Sequence, residues 1–298
     1  MSNQQQRSTR GSGAAARRHR SVAAPVLLRI TAVGVMLALW WLAARWIGTD
    51  IIPTPDVVGG RLVNVVLHEE FVRHMTATVA RVSIALVVSL GIATALGIAM
   101  GLNRGAERFF DGIVLGGRVM PGLAWALLAV MVIGVSGTAP ILAVVLAVSP
   151  LLTLQIWEGT KALDRDLFQM AQVFEVGRFG RLRHIVVPAI MPSIVGGAKL
   201  GLALSWKVTV LAELFGVRSG VGYEINRNFQ IFSLDGVLAW ALAFAAVMAL
   251  IEYGLIAPLY SHLTRWRRSD DRLSVATRLL RQAAWFRQVR DTRAEVPI

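Results

Sequence analysis

Cysteine is absent from all 298 residues, which excludes a disulfide framework and any thiolate metal site. Charge is sparse as well. Only 16% of residues are Asp, Glu, Lys or Arg, against about a quarter in a soluble globular domain. With 55% hydrophobic residues and a mean hydropathy of +0.58, the chain reads as an integral membrane protein. Lysine is nearly missing: Lys161, Lys199 and Lys207 are the three, and none precedes Ser or Thr. A G-x-x-x-x-G-K-[ST] phosphate loop therefore cannot exist, so energy for any work must come from a partner or a gradient. No Ser-His-acid or paired-carboxylate constellation stands out. His68 and His74 lack the His-Glu-x-x-His spacing that puts two imidazoles on one helix face, and they read as surface histidines with no metal.

What is present is arginine and long apolar runs. The net charge is +13, and most of the excess lies at the two ends, in Arg7, Arg10, Arg17, Arg18 and Arg20 and again from Arg265 to Arg293. Beside apolar spans, such ends face anionic headgroups; without a folded basic domain they do not point to nucleic acid. Residues 1–25 form a basic tail with no apolar period, expected to be disordered. Six runs then approach the roughly 20 residues that cross a bilayer: 26–47, 77–100, 113–133, 139–157, 190–212 and 237–259. The fold class is accordingly all-α, a polytopic membrane protein with six transmembrane helices over residues 26–260. A basic tail, 261–298, follows, in which Leu279, Leu280, Ala283 and Phe286 repeat at helical spacing.

Details within these runs carry further expectations. The first run, with Trp40, Trp41 and Trp46 at its end, is too long for a signal-peptide core and reads as a retained anchor. The VVGGRLVNVVLHEEF stretch is amphipathic, an interfacial or packed helix. Gly91, Thr94, Ala95 and Gly97 supply small residues for close helix approach in the second span. Pro121 should kink the third span, because proline removes a helix hydrogen bond. Basic residues dominate both ends, the second-to-third connection and the loop 158–189. By the positive-inside tendency all of these lie in the cytoplasm.

The stretch Asp166–Gly216 joins a basic segment, with Arg178, Arg181, Arg183 and His184, to an apolar one at Pro188. Lys199 can snorkel to the headgroups, but Lys207 lies eight residues, about 12 Å, deeper. An ionisable residue at such depth faces a cavity or a partner. Two readings stand: Lys207 pairs with a carboxylate, Glu213 or Glu252, or it lines the path of an anion. Ser205 and Trp206 are pocket walls or ordinary packing.

Gln169, Met170, Ala171, Glu175, Ile185, Val187 and Pro188 fall on the spacing E-A-A, three residues, G, nine residues, I, one residue, L-P. That pattern resembles the cytoplasmic loop of permease subunits of ATP-binding-cassette importers. IIPTPDVV, TATVARVSIALVVSLGIATALGIAMG, RVMPGLAWALLAVMVIGVSGTAP and LAELFGVRSGVGYEINR resemble the branch that imports nitrate, sulfonates and taurine. The resemblance implies the type I importer permease fold and a loop that is a short helix pair docked in a separate ATPase. Glu175 occupies the glycine position, where a positive φ suits glycine and not glutamate, so the turn is expected at Gly177 or Gly180 instead. Also implied are two ATPase subunits that use ATP and Mg, a second permease copy, an extracytoplasmic binding protein and a bacterial inner-membrane location with both termini cytoplasmic. This chain itself would bind no cofactor and catalyse nothing, and Lys207, Trp206, Ser205 and Glu213 would line the path of a small anion.

The rival reading is a self-sufficient channel or gradient-driven transporter, which calls for repeated, interrupted spans; the two halves show no such repeat. A reporter active only outside the cytoplasm should work when fused after Gly137 or Gly220 and stay silent after Arg104, Arg181 or Arg268. The opposite pattern of activity would overturn the topology.

Overall fold

The computed structural model describes residues 23–48, 51–68 and 70–256. The basic N-terminal run and the tail with its period around Leu279 lie outside the described residues. Among the described residues every regular element is helical: α1 Ala23–Ile47, α2 Pro55–His68, α3 Phe71–Leu102, α4 Arg104–Val119, α5 Gly122–Ile133, α6 Ala139–Lys161, α7 Arg165–Val173, α8 Arg178–Arg181, α9 Val187–Gly216, α10 Val221–Gln230 and α11 Leu234–Ile251. Short π-helical stretches follow α8, at Leu182–Val186, and α11, at Glu252–Ile256.

The centre is the pair α3 and α6, with α9 against both. Between lipid-soluble helices there is little hydrophobic driving force, so close van der Waals packing has to hold them together. On α3 a row of small residues recurs every fourth position, Ala85, Ser89, Ala93, Gly97 and Gly101. On α6 a row at the same interval, Val144, Val148, Leu152, Ile156 and Thr160, is buried. A Cβ on Gly97 would lie 2.9 Å from Ile156 Cβ, and one on Gly101 would overlap Thr160. The small face is thus set one row away from part of what the sequence suggests: Gly97 belongs to it, while Gly91 and Ala95 are exposed. A second cluster, Val65, Met75, Val221, Ala239, Trp240, Phe244 and Met248, ties α2, α10 and α11 to the start of α3. The amphipathic stretch after the first run is therefore a packed helix, α2.

The expected third span, 113–133, is not one kinked helix. α4 and α5 meet at 102°. Met120 (φ −69°, ψ 129°) and Pro121 (φ −60°, ψ 141°) are both extended; proline disfavours the helical region in the residue before it, and here two consecutive residues leave the helix. Trp125 Nε1 donates to Gly117 O at 3.3 Å, meeting one carbonyl near the break. α4 carries Arg104, Glu107, Arg108, Asp111 and Arg118 along an amphipathic helix capped by Asn103, whose side chain accepts from Gly105 N at 2.8 Å. α5 is uncharged and has 12 residues, about 18 Å, too short to cross a bilayer alone. The described residues thus hold five unbroken helices long and apolar enough to cross, and a sixth only if this bent pair counts as one.

The loop 158–189 also differs from expectation. α6 runs on to Lys161, and the second helix of the implied short pair is not separate. Arg178–Gly216 forms one helical stretch of 39 residues, through the π segment and past Pro188. Pro188 sits near the start of α9 but inside this continuous stretch, so its missing N–H removes a helix hydrogen bond there.

Gly97→Ala should destabilise the protein by about 1–3 kcal/mol, since an added methyl has no room against Ile156 and the Trp157 backbone. Gly91→Ala, with nothing within 4 Å of the new Cβ, should be neutral or slightly stabilising. Thermal unfolding of the purified variants in detergent checks this; equal losses at both positions would contradict the packing.

Candidate functional site

The two ends of the bundle carry different chemistry. At the end of α3 near Phe71 is a buried polar cluster centred on Glu213 of α9, whose side chain is 0% exposed. A carboxylate offers about four lone-pair sites and no donor. Arg81 NH1 donates to Oε1 at 2.6 Å and Gly222 N to Oε2 at 3.0 Å. Thr78 Oγ1 lies 3.0 and 2.9 Å from the two oxygens and accepts from Val221 N at 2.8 Å. The same arginine holds the 217–222 segment by donating to Ser219 O at 2.7 Å and Ser219 Oγ at 2.8 Å. Gly220 N donates to His74 Nδ1 at 3.0 Å. An amide can only donate, so Nδ1 is the accepting nitrogen and the ring proton sits on Nε2, facing Glu224 Oε1 at 3.4 Å. His74, expected at the surface, is therefore buried and structural.

Two glycines make this fit possible. Gly220 has φ +115°, and a Cβ there would stand 2.5 Å from the Glu213 carboxylate; a Cβ on Gly222 would lie 2.5 Å from Glu213 Cβ. The glycine pair of the GVRSGVGYE segment is thus required by the buried acid behind it.

Lys207 does not share this cluster. Glu213, one of its two expected partners, pairs with Arg81. Lys207 is exposed, and its Nζ lies 5.5 Å from the Trp206 ring centroid. Trp206 packs edge-on against Phe244, ring centroids 5.7 Å apart. Ser205 is buried, and its hydroxyl has no hydrogen-bond partner among the described residues. Of the four residues Lys207, Trp206, Ser205 and Glu213, the fold brings the first two into contact and turns the other two inward. Arg81 was legible as an arginine inside an apolar run, itself a mark of a buried partner; which partner it takes was not.

At the opposite end α7 begins with an Asp164 cap, its side chain accepting from Asp166 N at 3.0 Å. It ends at Glu175 in the left-handed region, φ +53°. Glu175 N donates to Gln172 O at 3.0 Å and Val176 N to Ala171 O at 2.9 Å, the paired bonds of a helix end that normally takes glycine. The turn has therefore not moved to Gly177 or Gly180: Gly177, at φ −60°, starts α8, and Gly180 lies within it. Glutamate takes the glycine conformation because two backbone bonds hold it there.

The signature residues divide by face. Ala171 is 2% exposed and packs inward, whereas Gln169 and Met170 point out. Leu167, Met170, Val173 and Phe174 are all exposed apolar residues at positions i, i+3, i+6 and i+7, one side of the helix. Ile185 is half-buried in the π segment and Pro188 is exposed at the start of α9.

Residues 87–260 match the family model for the binding-protein-dependent transport system inner membrane component. The chain is 29% identical over 248 residues to the taurine transport system permease protein TauC of Escherichia coli (strain K12), covering 81% of this chain and 90% of that protein. It is 27% identical over 237 residues to the putative aliphatic sulfonates transport permease protein SsuC of Bacillus subtilis (strain 168), covering 79% and 86%. In structure it is similar to a chain of a bacterial ABC transporter involved in the import of the acidic polysaccharide alginate, with TM-score 0.57 and 16% identity over 80% of this chain and 95% of that one. A chain of the inward-facing MetNI methionine ABC transporter gives TM-score 0.56 at 13% identity, covering 63% and 93%. Both solved structures bear on the fold alone.

Arg81→Met leaves the Glu213 carboxylate buried without its cation and should cost about 3–5 kcal/mol. Arg81→Met combined with Glu213→Leu should recover most of that loss, since neither charge then remains. Unfolding midpoints of the single and double variants check the coupling; purely additive losses would show that the pair does not act as one unit.

Proposed function

This chain belongs to the binding-protein-dependent transport system inner membrane components, multi-pass permease subunits of ATP-binding-cassette importers and not enzymes, and on that premise we propose that it forms the translocation path for a small sulfonate-like anion. The cargo reading draws on relatives named for taurine and aliphatic sulfonates. ATP and Mg are bound by separate ATPase subunits, two per transporter, and an extracytoplasmic binding protein delivers the substrate. Two copies of this permease enclose the path, with both termini on the ATPase side.

The observation that carries the coupling part is the apolar stripe of α7. Four large apolar side chains on a short helix, set between the basic segments of the cytoplasmic end, are too few and too interrupted to enter the bilayer core. They suit the hydrophobic groove of a soluble partner. Ala171, facing inward, instead lets α7 lie close to its own chain. Gln169, Met170, Ala171, Glu175, Gly177, Ile185 and Pro188 act together: the first two and the stripe meet the ATPase, and the rest set the angle at which α7 leaves α8 and α9.

Lys207 is the substrate-facing group of this reading. An ammonium on a largely apolar helix, in surroundings of low dielectric, attracts an anion far more strongly than it would in water. The indole of Trp206 beneath it restricts where the ammonium can go.

Uptake measured per assembled complex tests both halves. Lys207→Met keeps length and apolar character, so assembly should persist while uptake of taurine or methanesulfonate falls at least about tenfold. Met170→Asp, which puts a charge into an apolar contact, should lose the ATPase from the purified complex while the permease still inserts. Full uptake by Lys207→Met removes Lys207 from the path, and retention of the ATPase by Met170→Asp removes α7 from the docking surface.

A further inference from the structure

Positive residues are disfavoured on the face of a membrane protein away from the cytoplasm. Yet at the end of the bundle opposite α7, four arginines from three separate regions of the chain converge on one cavity: Arg61 of α2, Arg73 of α3, Arg218 of the α9–α10 connection and Arg227 of α10. The cavity holds about 430 Å³, within the roughly 300–1,000 Å³ of small-molecule sites. Its lining includes two carboxylates, Glu70 and Glu224. Each is already engaged, Glu70 with Arg73 and Glu224 with Arg227 at 3.5 Å. Arg61 has its carboxylate, Asp235, at 3.9 Å, long for a charge-assisted bond. Arg218 is exposed and makes no ion pair among the described residues. With Asp235 counted, four guanidinium groups stand against three carboxylates, an excess of one positive charge.

We propose that this cavity is a binding site for a small tetrahedral oxyanion, a sulfonate or sulfate, held by Arg218 together with Arg227 and Arg73. Three equivalent oxygens on one centre match guanidinium forks approaching from different sides. Ring packing and a hydrogen bond join other residues of the lining. His74 and Tyr223 stack with ring centroids 6.1 Å apart and planes within 7°, and Asn228 Nδ2 donates to Glu224 O at 2.9 Å. The Arg227–Glu224 contact, at 3.5 Å, is long for a charge-assisted bond, so Arg227 can turn to an anion at small cost. The site lies within one chain and is separate from Lys207, so its existence does not depend on the path proposed there. Resting on the importer reading above, its role is to concentrate the anion before translocation, on the face where cargo arrives.

Titration calorimetry on the purified full-length protein in uncharged detergent, at fixed ionic strength, tests this with methanesulfonate, sulfate and, as control, chloride. Saturable binding of the two oxyanions, weakened at least about tenfold by Arg218→Gln and unchanged by Lys207→Met, is the expected result. Arg218 makes no ion pair among the described residues, so Arg218→Gln should fold normally, and an unaltered unfolding midpoint verifies that. Absence of saturable oxyanion binding overturns the proposal, as does binding that Arg218→Gln leaves intact. Binding abolished by Lys207→Met also overturns it, because the anion would then sit on the path. If no free anion binds but attachment of the binding protein is lost in Arg218→Gln, the arginines serve a protein acid and the proposal likewise falls.

Discussion

A carboxylate with no exposure has to be matched where it stands, and the half of this molecule around the start of α3 follows from how Glu213 is matched. Taking a charge out of water costs several kcal/mol after relaxation, and only close, well-aligned partners offset it. The partners come from two stretches of chain: a guanidinium and a hydroxyl on α3, and the backbone amide of Gly222 at the start of α10. To bring that amide within reach the chain must fold back immediately beyond Gly216. The fold-back leaves no volume for a side chain at 220 or 222. Arg81 then clamps Ser219, and Gly220 N fixes the tautomer of His74. The entry of α10, the position of Tyr223 and the floor of the arginine-lined cavity are consequences of one buried acid.

The centre of the bundle rests on a different principle. Along α3 and α6 there is shape and almost no polarity, a small row against a branched one. Membrane helices can afford such contacts only where glycine or alanine recurs in register. That register was half legible. The sequence is rich in small residues over Gly91–Gly101, and periodicity alone does not say which of two adjacent rows faces the partner. The partner's bulk decides it, through Ile156 and Thr160, more than fifty positions away.

Elements dictated by local chemistry could be read directly: the apolar runs, the packed amphipathic α2, the polar-to-apolar join in the long α8–α9 stretch. Where two local rules competed, the outcome was not readable. Pro121 could kink a helix or end it, and the extended conformation of Met120 ended it. Glutamate at 175 could avoid a left-handed turn or be held in one, and the backbone bonds from Val176 and Glu175 held it. Long-range pairing was the least accessible. Glu213 had Lys207 six residues away on its own helix and Arg81 132 positions distant. Six residues along a helix turn through about 600°, which leaves the two side chains on different faces. The distant arginine has no carboxylate one or two turns away on α3 and was free to reach it.

α9 and its preceding turns join the two ends. At about 1.5 Å per residue, the 39-residue stretch from Arg178 to Gly216 extends for about 58 Å. Its far end is locked by Glu213 to α3 and α10. Its near end contains the π segment Leu182–Val186, then Pro188 and Pro192, and each of these interrupts the regular i to i−4 ladder that stiffens a helix. The softest part of the rod therefore lies within its first fifteen residues, next to the turn at Glu175 that carries α7. A displacement applied at α7 meets compliance there first, and the locked far half moves only with α3 and α10 as one body. Rigid where the acid is buried and pliant where the prolines fall, α9 has the stiffness profile that converts a tilt at one end into a hinge near that same end.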